Sequence, residues 1–474
     1  MLVIDLGTIP DDPVEVESRR PLTWRRLRPA ALALVVALLL TTGGSGLPPT
    51  PVIDHIATLS YPSTAQTNGF PSQGVLLTEK LLFTATMEPG GLIWLVSAHE
   101  LDRGRRVWTY QLPSTSERQP ELAYRSGLLL LSAAGTDQTG MRTVALHAAT
   151  GRQRWSLPYH VQTFHGADHA LAVDVIFADD STLTDGSRWQ GSSYGSPWGR
   201  TYGHPPLGRV VTGIALSTGE VRWRSELLTD VEIDIAARFS DDEGNGPDRE
   251  HGLAVVTADG AVELRNARTA EVRHRFPAVH PDSRVQLNGD LLIVAHSATE
   301  VTAYSSETYQ RRWIRPIGEN GLVGFCGYGG LVCGTSGSGA WMIDADTGRR
   351  LWPIPREHVI TEAGGHLIEF VTGGSLRPLR TVDPLTGEPR LPLLDWQRAD
   401  IMPGGRVLFV APQTHLGPTW LAVLTPGAVT PVSLGSVPVG LSGCQLTSSV
   451  IVCSTPHNDL RIWRYRAPVQ SGAQ

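Results

Sequence analysis

A short turn motif recurs through this chain at nearly constant intervals, and that step limits the fold more than any other feature. The motif is an apolar run, a turn ending in Thr-Gly or a near equivalent, then a charged pair and Trp. It reads ALHAATGRQRW at 145–155, IALSTGEVRW at 214–223, MIDADTGRRLW at 342–352 and TVDPLTGEPRL at 381–391. Weaker copies are SAHELDRGRRVW at 97–108, ELRNARTAEVRH at 263–274, TAYSSETYQRRW at 302–313 and AVLTPGAVTP at 422–431. The Trp-equivalent positions are Trp108, Trp155, Trp223, His274, Trp313, Trp352, Leu391 and Pro431, spaced 47, 68, 51, 39, 39, 39 and 40 residues apart.

A step near 40 residues, filled with short apolar runs between turns, is one four-stranded propeller blade per repeat. Upstream runs such as GLLLLSA (127–133), HGLAVVTA (251–258), DLLIVAH (290–296) and RVLFVAP (406–412) are continuously apolar. They are expected to be inner strands covered on both faces. Gly 50 and Pro 34 against Met 5 favour turns over long helices. The fold class is therefore all-β: a β-propeller of about eight four-stranded blades, seven being the alternative. The last stretch, 443–466, lacks the full motif and is expected to close the ring with strands from the N-terminal end. Each motif residue has a physical task. Asp or Ser early in the turn accepts backbone N–H groups. Gly supplies a positive φ. Trp buries a large flat surface where neighbouring blades pack.

With those residues in view, the D-x-x-T-G-x-x-x-W pattern resembles the tryptophan-docking repeat of quinoprotein-type (PQQ-repeat) propellers. That group includes quinone-dependent dehydrogenases and the propeller of the outer-membrane protein assembly machinery. The resemblance covers about 74–466 and implies architecture more than activity. In the dehydrogenases it implies a quinone stacked between a Trp and a disulfide of adjacent cysteines, with a calcium held by Glu, Asn and Asp. This sequence has no Cys-Cys pair and offers no matching calcium set, so no cofactor and no catalytic residue are expected.

Residues 29–47, PAALALVVALLLTTGGSGL, form an uncharged run about long enough to cross a bilayer. Arg19, Arg20, Arg25, Arg26 and Arg28 precede it, and the next basic residue is Lys80. That asymmetry predicts a cytoplasmic tail (1–28), a single-pass signal anchor (29–47) and an extracytoplasmic body. A cleaved signal peptide is the competing reading. A Pro/Ser/Thr-rich stalk is expected over 48–73, with strand character near 52–59, then the propeller over 74–466 and a tail over 467–474. Net charge is -6. Five acids and five arginines cancel in the first 28 residues, so the deficit lies in the body, which has no electrostatic footprint for nucleic acid.

The four cysteines lie as FCGYGGLVCG (Cys326, Cys333) and GCQLTSSVIVCS (Cys444, Cys453). Local disulfides, free thiols and a metal site are the three readings; proximity in an oxidising compartment favours disulfides. HVQTFHGADHA holds His160, His165, Asp168 and His169, readable as metal ligands or as a polar loop. DDEGNGPD (241–248) resembles a calcium loop but lacks the closing Glu, so a solvated acidic tip competes. The 68-residue step marks an insertion at 182–208 with Trp189, Tyr194, Trp198 and Tyr202 in a Gly/Ser background. These four are the candidate partner-binding residues; a lid packed on its own propeller is the alternative. The leading function is a non-catalytic scaffold binding an envelope protein or polymer. A quinoprotein-type oxidoreductase and an envelope sensor are the alternatives.

Overall fold

The computed structural model describes residues 53–60, 73–88, 91–114, 119–134, 141–163, 167–176, 208–233, 252–277, 283–296, 300–316, 322–325, 332–336, 339–371, 377–402, 405–411, 418–457 and 459–466. All regular structure among them is β-strand. The segment 29–47 lies outside them, and among the described residues no helix is long and apolar enough to cross a membrane.

The strands form antiparallel meanders in which each strand pairs with its sequence neighbours. Blades 1 and 2 span 73–113 and 121–157; blades 5 to 8 span 284–316, 322–354, 358–392 and 398–437. Blades 3 and 4 share the strand Val221–Ile233, which is outermost in one and innermost in the next, so their sheets merge into seven strands. Blade 9 takes three strands from 442–465 and its outer strand, Ile53–Leu59, from the N-terminal side. Closure by the N-terminal strand is as expected from the sequence.

The described residues thus build nine blades, and the expectation of about eight is corrected. The motif marks the turn between the third and fourth strands. In blade 9 those two strands come from opposite ends of the chain, so there is no turn to count. Ring closure removes a free sheet edge at the cost of hiding one repeat. A second correction concerns blade 8. The outer strands carry a bulge just before the Trp position, as where Ala303 pairs Trp313 while Tyr304 pairs Arg311. By the same bulge the blade 8 equivalent is Gly435, opposite Leu421, rather than Pro431.

The core is distributed. Nine clusters of buried side chains occur among the described residues, and each lies at one seam between neighbouring blades. Leu291, Ile293 and Val301 of blade 5, for example, meet Val332, Trp341 and Ile343 of blade 6. Second and third strands are covered on both faces, which is why Leu128–Ala134 is buried almost throughout. The meander also separates two rims. Links between first and second strands, and between third and fourth, gather on one rim. Links between second and third strands, and between blades, gather on the other.

Candidate functional site

The docking turns are built alike. In seven of them the residue at positive φ (Gly104, Gly151, Gly219, Ala270, Tyr309, Gly348, Gly387) donates its N–H to the carbonyl four residues earlier. In blade 6 the Asp344 carboxylate accepts from the N–H groups of Asp346 and Thr347 at 3.0 and 2.8 Å. Asp383, Asn266 and Ser305 do the same in blades 7, 4 and 5. Two backbone donations hold the Asp383 carboxyl below the usual carboxylate range.

The tryptophan of one blade lies on the turn of the next. Trp108, Trp155, Trp223, Trp313 and Trp352 donate their indole N–H to the carbonyls of Ala148, Leu216, Arg268, Ala345 and Pro384 at 2.8–3.1 Å. A Cβ built on Gly151, Gly219, Gly348 or Gly387 would come within 2.6 Å of that ring, so at these four turns glycine lets the indole lie flat against the backbone. Where the motif degenerates, His274 stacks flat on Tyr309 with centroids 4.3 Å apart. All five indoles thus reach across a seam to the next blade, and all their turns lie on one rim.

Cys444 and Cys453 form a disulfide between directly opposite positions of two blade 9 strands, inside the seam with blade 8. Cys333 is also disulfide-bonded; its expected partner Cys326 lies outside the described residues. The blade 9 bridge joins cysteines of neighbouring strands within an apolar cluster, so it does not fit the adjacent-cysteine platform of a quinone site.

Trp189, Tyr194, Trp198 and Tyr202 lie outside the described residues, as do His165 and the run 241–248. The link that carries the four aromatics leaves from Ile176 and returns at Gly208, whereas the docking turn follows Ala215 at the other end of the same strand pair. Its attachment is thus on the rim away from the docking turns. His160 does not join His169. It pairs with Glu121 at 2.9 Å, while His169 neighbours Asp168.

Several titratable groups elsewhere are paired, either across a seam or within one blade. Asp168 is held by Arg268 of the next blade at 2.9 Å and by Arg222 at 3.5 Å. Burial alone would raise its carboxyl, but the His169 hydrogen bond and both guanidiniums outweigh burial and hold it low. The buried Glu369 meets His358 and Arg380, each at 2.5 Å. Glu263 meets Arg265 and Arg275 at 2.6 and 2.7 Å. Among the described residues no three His, Cys, Asp or Glu side chains are placed to hold a metal ion.

Sequence reasoning missed the links between first strands. The Gln286 carboxamide accepts from Phe325 N–H at 3.0 Å. Gln445 accepts from Leu77 N–H at 2.7 Å and donates to the Val75 carbonyl at 2.6 Å. Asp400 accepts from Cys444 N–H while paired to Arg398 at 3.0 Å, and burial pushes its carboxyl up. No spacing announces these residues, because the linking side chain is Gln in two blades and Asp in a third and belongs to no repeated motif.

Four-stranded blades chained by an aromatic side chain onto the next blade's turn define a tryptophan-docked β-propeller. The propeller is similar to those of the PQQ-like, BamB family. Residues 207–354 match the family model described as "PQQ_2: Outer membrane protein assembly factor BamB". No curated protein matches the chain. Among solved structures it is similar to BamB from Moraxella catarrhalis, at 10% identity and TM-score 0.38, covering 88% of this chain and 98% of that one. It is similar to quinohemoprotein alcohol dehydrogenase ADHIIG from Pseudomonas putida HK5, at 11% identity and TM-score 0.39, covering 90% and 78%. It is also similar to the C-terminal WD40 domain of Sif2, at 10% identity and TM-score 0.40, covering 88% and 99%.

Proposed function

We propose that this protein is a non-catalytic binding scaffold of the cell envelope, anchored by 29–47 with its propeller outside the membrane. The observation that carries the reading is how the polar groups are used. Indole N–H groups and first-strand side chains such as Gln445 and Asp400 join blades, the buried carboxylates Glu263 and Glu369 are neutralised within theirs, and the long link 177–207 leaves from the rim away from the docking turns. Binding residues concentrate on loops held by a rigid frame. The match to a family model named for an assembly factor supports an envelope role, and the Cys444–Cys453 disulfide supports an oxidising compartment.

In-cell crosslinking with mass spectrometry, on the full chain and on a chain lacking 184–206, tests this. Partner crosslinks should vanish in the shortened chain while its melting temperature holds. Crosslinks that persist would remove the loop from the site. Saturable quinone binding with calcium, together with dye-linked oxidation of alcohols or sugars, would replace the scaffold with an oxidoreductase. Carbonate extraction of membranes tests the anchor: the chain should stay with the bilayer, and release would refute it.

A further inference from the structure

The closing strand Ile53–Leu59 is attached differently from the other outer strands. Its bulge, with Trp463 opposite His55 and Ile462 opposite Ala57, puts Ala57 where Trp313 stands in blade 5. Ala57 meets Gly104 of blade 1, but it has no N–H side chain to donate and little surface to bury. A docked indole removes about 150–250 Å² from water, several times what one methyl group can. None of the seven side chains in the strand is fully buried.

The strand is also joined to the ring by a long tether. Thirteen residues, 60–72, separate it from the first strand of blade 1, whereas the other links between blades run from none to seven. Its sheet partner, Leu460–Tyr465, lies at the far end of the sequence. Release of the strand would not open the ring. Blade 9 is tied to blade 1 by Gln445 to Val75 and Leu77, by Ser448 to Glu79 and by Arg464 to Asp102. Leu82 and Leu101 of blade 1 pack with Val450, Val452, Leu460 and Ile462 of blade 9. Ile56, Ala57 and Leu59 of the closing strand pack on this cluster from outside, but the named contacts between blades 9 and 1 are made without them.

We infer that the outer position of blade 9 is a strand-exchange site, filled reciprocally by Ile53–Leu59 of a second copy of this chain. The occupant is a second copy because the six registered pairs from Ile53–Tyr465 to Leu59–Leu460 are already complementary. Reciprocal exchange generates a two-fold pair in which each copy gives and receives the same strand. Exchanged and closed forms share these contacts, so concentration decides between them. The crossover lies near the effective concentration that a link of this length sets, on the order of millimolar.

Asp54 and Arg464 are registered partners and both exposed. Two differently tagged full-length chains, one carrying Asp54→Cys and the other Arg464→Cys, are co-expressed and oxidised. Neither chain can form the added bond alone, so a covalent heterodimer reports exchange. When the two chains are instead purified separately and mixed, the heterodimer should appear several-fold more slowly if both also carry Ala57→Trp, because the added docking indole must leave its seam before the strand can exchange. The idea fails if no heterodimer forms while a single chain carrying both cysteines closes its own bond. It fails equally if Ala57→Trp leaves that rate unchanged, or if the Arg464→Cys chain is captured by a different protein's strand.

Discussion

The indole N–H of Trp313 reaches across a seam to the carbonyl of Ala345, 2.8 Å away, while the face of the same ring lies on Gly348. One side chain thus supplies apolar area and a directed hydrogen bond to the next blade. Trp313→Ala is expected to cost about 3–5 kcal/mol. Trp313→Phe keeps most of the area and should cost about 1 kcal/mol for the bond, plus a smaller packing loss. Urea unfolding of both variants checks this; equal losses would show that the hydrogen bond, not the area, dominates.

Gly348 and Ala270 occupy the same place in their turns, at φ 67° and 62°. Gly348→Ala adds a Cβ 2.6 Å from the Trp313 ring, so overpacking joins the left-handed strain. About 3 kcal/mol of destabilisation is expected. Ala270→Gly should stabilise. The left-handed cost of roughly 1–2 kcal/mol exceeds the 0.4–1 kcal/mol that glycine adds to the unfolded chain's freedom. Opposite shifts in denaturation midpoint are the expected result.

Glu369 is buried between His358 and Arg380. Arg380→Leu leaves a desolvated carboxylate short of its cation and should cost about 3 kcal/mol, the low end for such a pair because Arg380 is 38% exposed. Adding Glu369→Leu should recover much of that loss. A neutral Arg380→Leu would mean that water or His358 carries the charge.

Burial alone pushes the Glu362 carboxyl above its ordinary range. The folded state then holds its proton more tightly than the unfolded chain does, so stability falls as pH rises through the unfolded and then the folded pKa. Glu362→Gln removes an ionised, half-buried group at pH 7 and should raise the urea midpoint there. The advantage should shrink towards pH 4, where the wild-type carboxyl is protonated. A difference independent of pH would contradict this.

Much of the architecture was legible in residues 302–352. The 39-residue step from Trp313 to Trp352, the capping Asp344 and the Gly348 turn each do in space what their chemistry implies. Blade 9 was harder to count, because closure divides its repeat between the two ends of the chain and puts Ala57 where the pattern has Trp. The turn after Leu424 mimics the motif by composition and points to Pro431, whereas the bulge puts Gly435 at the docking position. Of the candidate binding residues, Trp189, Tyr194, Trp198 and Tyr202 could be named from composition and spacing alone.

By itself the sequence determined the strand periodicity, the docking turns and the circular plan, because these follow from contacts within a repeat or between adjacent repeats. Only the tertiary structure decided that there are nine blades, that the docking turns share one rim while the 177–207 link leaves from the other, and that Gln445, Asp400 and Gln286 link first strands. Those features depend on which distant segments meet once the ring shuts. A pairing of Ile53 with Tyr465 leaves no periodic trace in either stretch of chain.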